Sequence, residues 1–405
     1  MFDPERFYSR LGSTFQPGVL TTVVLAAFEM IKQGKKIISL TGGSYDTPSL
    51  PSEEIKRIFN EAPPEAWADM LQYGGTTGML SLRSELAKFM SGAGIKADPK
   101  SEIIVTTGSQ EAIDLVTRVF IDPGDFIILG RPTYLSALSA FKQMSPEFRE
   151  VPVDRDGMNI DELEIELRKL RAKGKRAKML YTIPSFQNPT STMMTRERRL
   201  KALELAEEYD FLVLEDNPYG YISFEGPMPT PLKGLGRSER VMYTSTFSKI
   251  VSPGMRIGWL AANKEFISKM TEAKSNISIC NDGLSQYAAA ELLRRGVVER
   301  QIKKVTRVYR RKRDVMLEAM GSSFPEEAEW NEPKGGLFLW VKMPEHVNTT
   351  EMLMESVGRG VAYIPGSNFF VGPVHNYIRL NYSFPSEADI VEGIQILGNL
   401  LKEKV

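Results

Sequence analysis

VMYTSTFSKIVSPGMRIGW, Val241 to Trp259, is the stretch from which the rest of the chain is read. An apolar, β-rich run (Val241, Met242, Tyr243) leads into four small hydroxyl side chains, Thr244, Ser245, Thr246 and Ser248, and then into Lys249. Pro253 and Gly254 turn the chain, Arg256 follows, and a second apolar run starts at Ile257. Burial at the end of a strand disfavours an ammonium ion, lowers its pKa and leaves an amine able to act as a nucleophile, the chemistry of a Schiff base. Hydroxyls before the lysine and a guanidinium after it are donors suited to a phosphate, and the Arg256 fork can hold it with two parallel hydrogen bonds. A lone Ser-Lys pair would read as an ordinary solvated loop; the whole string does not.

Outward from that stretch, short apolar runs alternate with helical segments from about Glu102: IIVTTG then QEAIDLVTRVF, FIILG, KMLYTIP, FLVLED and VMYTSTF. Such alternation predicts a mainly parallel sheet with helices on both faces. In such sheets ligands bind outside the carboxyl ends of the strands, so Ser109, Asn188, Asp216 and Lys249 are expected on one rim. After Gly108 a helix starts at Ser109 and Gln110, where free N–H groups and the positive end of the helix dipole make an anion site. IPSFQNPTS carries Asn188, and FLVLEDNPYG carries Asp216 and Tyr219, each after a strand. Beyond about Ser275 the pattern changes. VVERQIKKVTRVYRRKRDVMLEAM is a long basic helix, read as a solvated connection because it has no aromatic stacking platform and no DNA-binding motif. GGLFLWVKMP, VAYIPGSNFF and NYIRLNYSFP read as strands and turns of a smaller domain, closed by a helix from Glu387. At the other end an arm and an amphipathic helix with Leu20, Val23, Val24, Ala27, Phe28 and Ile31 on one stripe precede the strand IISL and the loop TGGSYDTPSLPS.

Composition narrows the function. The chain has 405 residues, enough for one large and one smaller domain, and its 51 basic and 51 acidic residues cancel, which leaves no footprint for nucleic acid. One cysteine, Cys280, excludes an intrachain disulfide framework, and with only two histidines a His/Cys metal site is not expected. The N-terminus lacks the apolar core of a signal peptide, and no run approaches the roughly 18 apolar residues of a spanning helix. The expectation is a cytoplasmic protein with no membrane and no nucleic-acid partner.

The string Thr246-Phe247-Ser248-Lys249, with Pro253-Gly254-Met255-Arg256-Ile257-Gly258 after it, resembles the lysine signature of the class I/II, fold-type I pyridoxal-phosphate (PLP) aminotransferases: [ST]-F-S-K followed by P-G-x-R-x-G, filled at every position. YGGTTGMLSLR, from Tyr73 to Arg83, is similar to that family's Y-G-x-x-x-G-x-x-x-L-R, and the motifs run in family order from the glycine loop near 42 to Arg379. The resemblance implies an α/β fold with a large domain, its mainly parallel central sheet flanked by helices, and a smaller α/β domain. The divisions implied are an arm and helix over 1–45 that contribute to the small domain, a large PLP-binding domain over 46–295, and a small C-terminal domain over 296–405. It implies that Lys249 carries PLP and moves a proton as base and acid, with Asp216 and Tyr219 also in the catalytic group. Ser109, Gln110, Ser245 and Arg256 are the expected phosphate contacts, and Tyr134 the ring stacked on the pyridine. Asp216 keeps the ring nitrogen protonated, so that the ring withdraws electrons from the substrate α-carbon, while Asn188 and Tyr219 hydrogen-bond the ring oxygen. Arg379 binds the α-carboxylate by a fork-to-fork pairing for which lysine is a poor substitute, and Asn188, Gly43 and Tyr45 lie by the substrate. Tyr73 reaches the phosphate of a neighbouring subunit, which implies a homodimer with shared active sites.

Two departures stand out: Ser44-Tyr45 where Leu-Pro is frequent, and Ser191 where the usual NPTG has glycine. EDNPYG and YTSTFSK look most like the branch with 2-aminoadipate, kynurenine and aromatic amino-acid aminotransferases, implying an aromatic or aminoadipate-type donor and 2-oxoglutarate as the 2-oxo acid acceptor. Two other readings share these motifs. A lyase or decarboxylase of the same fold differs only in substrate orientation. The sensing half of a transcription regulator needs a DNA-binding module, where about 36 residues precede the first strand.

Overall fold

A computed structural model describes residues 2–9, 11–15, 21, 23, 25, 32, 34–236 and 238–405. Of the apolar stripe expected near the N-terminus, Val23 is described and buried; Leu20, Val24, Ala27, Phe28 and Ile31 lie outside the described residues.

After β1 (Ile38–Ser39), the central apolar runs form β2 (Ile103–Thr106), β3 (Phe126–Arg131), β4 (Glu147–Asp154), β5 (Gly157–Met158), β6 (Ala177–Thr182), β7 (Leu212–Asp216), β8 (Val241–Thr246) and β9 (Gly258–Ala261). Those from β2 onward make one eight-stranded sheet in the order β2-β9-β8-β7-β6-β3-β4-β5. Neighbours from β8 through β7, β6 and β3 to β4 pair parallel. A parallel pair needs a crossover, and the helix Arg196–Glu208 supplies the one between β6 and β7. Met242 and Tyr243 of β8 and Val213 and Leu214 of β7 are wholly buried, as a strand covered on both faces must be.

β9 is the exception in direction, antiparallel to both β8 and β2. The chain between β8 and β9, residues 247–257, has no helix to make a crossover and so returns directly. That return places Lys249 and Arg256 at the carboxyl end of β8. Asp216 closes β7, Asn188 follows β6, and Ser109 opens the helix Ser109–Phe120 after β2. The rim expected from the alternation is therefore formed.

A four-stranded antiparallel sheet follows in the order β10-β11-β14-β13, from β10 (Glu329–Trp330), β11 (Phe338–Lys342), β13 (Ile364–Pro365) and β14 (Tyr377–Asn381). Arg379 lies in β14, opposite Trp340. β12 (Val361–Ala362) pairs parallel with β1, so the start of the chain joins its C-terminal part. The basic segment forms one helix, Val297–Ser323, entered through the left-handed Gly296 and packed on the closing helix Glu387–Lys402. Among the described residues, no helix is long and apolar enough to cross a membrane.

Candidate active site

Lys249 is half-buried in the return loop, and its Nζ donates to the carbonyl of Gly43 at 2.7 Å. Burial first, then the nearby Arg379 and Arg256, pulls its pKa down to about 8, against the opposing pull of Asp216. A Cβ at position 43 would stand 3.2 Å from that Nζ and 3.0 Å from the Phe338 ring, tighter than ordinary contact, so glycine there lets backbone and lysine approach without either side chain giving way. The buried Asp216 accepts from the Tyr181 hydroxyl at 2.9 Å through Oδ2, while its Oδ1 has no hydrogen-bond partner. Burial drives this carboxyl up to about 7, although the Tyr181 bond and Lys249 both pull the other way.

A phosphate-sized donor set faces the same space. Gly108, at φ 74°, turns β2 into the helix Ser109–Phe120, whose first N–H groups have no intrahelical acceptor. Arg256 sits in the left-handed region at φ 52°, a strained conformation for a side chain of its size and one that clusters at functional sites. Its guanidinium donates to Thr107 O at 3.0 Å and Ser248 Oγ at 3.2 Å. The turn is tight. A Cβ at Gly258 would lie 2.7 Å from Cα of Gly108, and one at Gly108 3.1 Å from Cζ of Arg256. Thr246 Oγ1 stands 2.9 Å from Ser248 Oγ, so both hydroxyls join the cradle.

Arg379 closes the other side. Its guanidinium donates to Asn188 Oδ1 at 3.0 Å and Thr41 O at 2.7 Å and lies over the rings of Phe338 and Phe369, 4.1 and 5.0 Å from their centroids. Its Nε is buried without a partner, and burial lowers its pKa to about 10. Asn188 Nδ2 donates to the Tyr219 hydroxyl at 3.3 Å, and burial raises the pKa of both Tyr219 and Tyr134. Between these groups is a cavity of 130 Å³ lined by Ser109, Gln110, Tyr134, Asp216, Tyr219, Thr246, Ser248, Lys249 and Arg256.

Most of the residues singled out in the sequence thus meet at one place, and three do not. The Ser245 hydroxyl donates to Asn217 O at 2.8 Å and does not line the cavity; Thr246 and Ser248 do. Alternation along β8 turns adjacent hydroxyls to opposite faces. Tyr45, expected by the substrate, is instead buried, its hydroxyl donating to Ile250 O at 3.3 Å and accepting from Gln301 Nε2 at 2.6 Å. Tyr73 is 78% exposed and does not line the cavity of its own chain. Tyr181, Thr41, Phe338 and Phe369 went unnoticed in the sequence. The parallel register of β6 on β7, which sets Tyr181 against Leu214, could have revealed the first.

Three buried polar atoms without a partner, Asp216 Oδ1, Gln110 Oε1 and Arg379 Nε, belong to this group of residues. Buried polar atoms are ordinarily satisfied, and two of these, Asp216 Oδ1 and Gln110 Oε1, belong to residues that line the cavity, where a ligand group can meet them. PLP asks for an amine for its aldehyde, a carboxyl for its ring nitrogen and N–H and hydroxyl donors for its phosphate, and this chain supplies each. Fold and site together define an α/β enzyme that works with PLP. The chain belongs to the aminotransferase class I and II family, whose model matches residues 35–397. It is 43% identical to aromatic-amino-acid aminotransferase 1 of Thermococcus litoralis over 91% of this chain and 89% of that one. The crystal structure of Pyrococcus horikoshii kynurenine aminotransferase, in complex with PMP, superposes with a TM-score of 0.94 at 38% identity, covering 100% of this chain and 98% of the other. The α-aminoadipate aminotransferase of Thermus thermophilus, complexed with N-(5'-phosphopyridoxyl)-L-leucine, superposes with a TM-score of 0.90 at 31% identity, covering 99% of each. The chain is thus a fold-type I, PLP-dependent aminotransferase.

Proposed function

We propose that this aminotransferase takes an aromatic or 2-aminoadipate-type amino donor and passes the amine to 2-oxoglutarate. The carrying observation is Arg379: a buried guanidinium held by Asn188 and Thr41 against Phe338 and Phe369, a fork suited to an α-carboxylate with aromatic walls beside it. The names of the relatives support the donor class.

When bound, PLP supplies an electron sink for the bond broken at the amino-acid α-carbon. The chain's residues do the rest. Lys249, with a pKa near 8, holds the cofactor and, once free, moves a proton to and from the α-carbon. With PLP bound, Asp216 would hold the proton of the ring nitrogen, and Tyr219 and Asn188 would donate to the ring oxygen. Ser109, Gln110, Thr246, Ser248 and Arg256 would bind the phosphate, and Tyr134 would pack on the ring. Exposure of Tyr73 supports its reaching a second copy in a homodimer. Pairing of β1 with β12 supports the division into 1–45, 46–295 and 296–405, with the first part joined to the third. We place the enzyme in the cytoplasm.

Mixing the yellow holoenzyme with single amino acids tests the donor class, because amination of the cofactor bleaches its visible band. Phenylalanine, tyrosine, kynurenine or 2-aminoadipate should bleach it at lower concentration than aspartate or alanine. Preference for the small donors would overturn the assignment.

A further inference from the structure

Lys274, a wholly buried lysine, takes no part in the chemistry above. It lies near the end of the helix Lys264–Ser275, with no exposed surface. All three of its ammonium protons have neutral acceptors: Thr76 O at 2.9 Å, Val105 O at 2.7 Å and Asn281 Oδ1. Enclosing a cation among carbonyl oxygens costs stability relative to an apolar side chain of similar volume, and burial has pulled this lysine down to about 8.

The three acceptors belong to three separate segments. Thr76 is in the loop that carries Tyr73, Val105 is in β2 two residues before Thr107, and Asn281 is in the turn ahead of the helix Gly283–Arg294. From Asn281 the bonds continue to the cradle: its Nδ2 donates to Thr107 Oγ1 at 2.8 Å, and Thr107 O accepts from Arg256 at 3.0 Å. Thr107 immediately precedes Gly108 and Ser109. The same loop is held a second time by Gln286, which accepts from Met79 N at 2.8 Å and donates to Asn281 O at 3.1 Å.

We propose that Lys274 is a positioning residue for the cofactor phosphate: its ammonium cross-links the Tyr73 loop, the end of β2 and Asn281, so that Arg256 and the first N–H groups of the helix Ser109–Phe120 stand ready for the dianion. The inference rests on the reading of Arg256 and that helix as the phosphate cradle. Donors fixed in advance bind more tightly than donors that must be ordered on binding. Lys274 touches neither substrate nor reacting atoms, so its removal acts on cofactor affinity and leaves the donor's affinity for loaded enzyme alone.

The test titrates apoenzyme with PLP, following the absorbance of the bound cofactor, for Lys274→Met, Asn281→Ala and Arg256→Ala. Donor KM is measured at saturating PLP and apoenzyme Tm alongside. By analogy with residues that orient metal ligands from outside, Lys274→Met should weaken PLP binding about tenfold or more with donor KM within about twofold of wild type. Asn281→Ala, which spares the bonds to Thr76 and Val105, should weaken it in the same direction and stands in if the lysine variant fails to fold. Unchanged PLP affinity in whichever of these two variants fold, with Arg256→Ala impaired, overturns the role of Lys274, whatever happens to Tm. Unchanged affinity in Arg256→Ala overturns the reading of the cradle itself.

Discussion

Burial moves Asp216 and Lys249 toward each other in pKa, the carboxyl from 3.8 up to about 7 and the ammonium from 10.5 down to about 8. The folded apoenzyme therefore holds the Asp216 proton more tightly than the unfolded chain, and between pH 4 and 7 the contribution of this one group to stability falls as pH rises, by at most about 1.4 kcal/mol per unit. Lys249 works the other way: its cost is present below about pH 8 and is relieved as pH rises toward 10.5. Asp216→Asn removes the first dependence. Urea unfolding of the apoenzyme should show the variant gaining stability relative to wild type from pH 4 to 7 and remaining the more stable at pH 8; a profile parallel to wild type would contradict the buried carboxyl. The same variant should keep PLP yet lose several orders of magnitude in kcat, since the electron sink depends on the charged ring. For Arg379→Ala, loss of a charge-assisted fork worth roughly 1.5–3 kcal/mol should raise KM for every donor by about tenfold or more and by a similar factor, while a donor-selective rise would assign the α-carboxylate elsewhere. At this scale residue types were legible and orientations were not. That a hydroxyl near Lys249 serves the cradle follows from the string, but which of Ser245 and Thr246 does so depends on the pleat of β8. Tyr45 looked available in a glycine-rich loop; only packing against Gln301 decides that its hydroxyl is spent.

The elements were legible wherever an apolar run met a helical one, and the rim of Ser109, Asn188, Asp216 and Lys249 follows from that alternation alone. The direction of β9 does not, because it depends on how the short connection 247–257 returns. The turn after Asn188 shows what a departure from family pattern costs. Ser191 takes the left-handed φ of 52° that glycine adopts freely, and its hydroxyl donates to Phe338 O at 2.8 Å, tying the turn to the β-strand under Arg379. Strain and hydrogen bond each amount to about 1 kcal/mol and oppose each other. Ser191→Gly should then leave stability within about 1 kcal/mol of wild type, while Ser191→Ala keeps the strain, loses the bond and should be less stable by about 1–2 kcal/mol. Chemical denaturation of both variants decides it; an alanine variant as stable as the glycine one would show that the hydroxyl holds nothing.

Across the whole molecule, residues from Ser109 to Arg256 converge on one cavity, with Gly43 bonded to Lys249 and Arg379 bonded to Asn188 beside it, and the proposed homodimer would complete it with Tyr73. A mixed dimer of Lys249→Ala in one chain and Tyr73→Ala in the other separates the cases. If Tyr73 crosses the interface, the chain that keeps Lys249 borrows an intact tyrosine and one site per dimer retains PLP with wild-type affinity. If it acts in its own chain, affinity stays at that of the Tyr73→Ala parent. The convergence has a more direct test in the amine of Lys249, on which the cofactor assignment rests. Borohydride reduction of the holoenzyme, followed by peptide mapping, should place one pyridoxyl group per chain on Lys249, within the peptide that contains Phe247 and Ser248. A label on Lys274 or any other lysine would contradict the account.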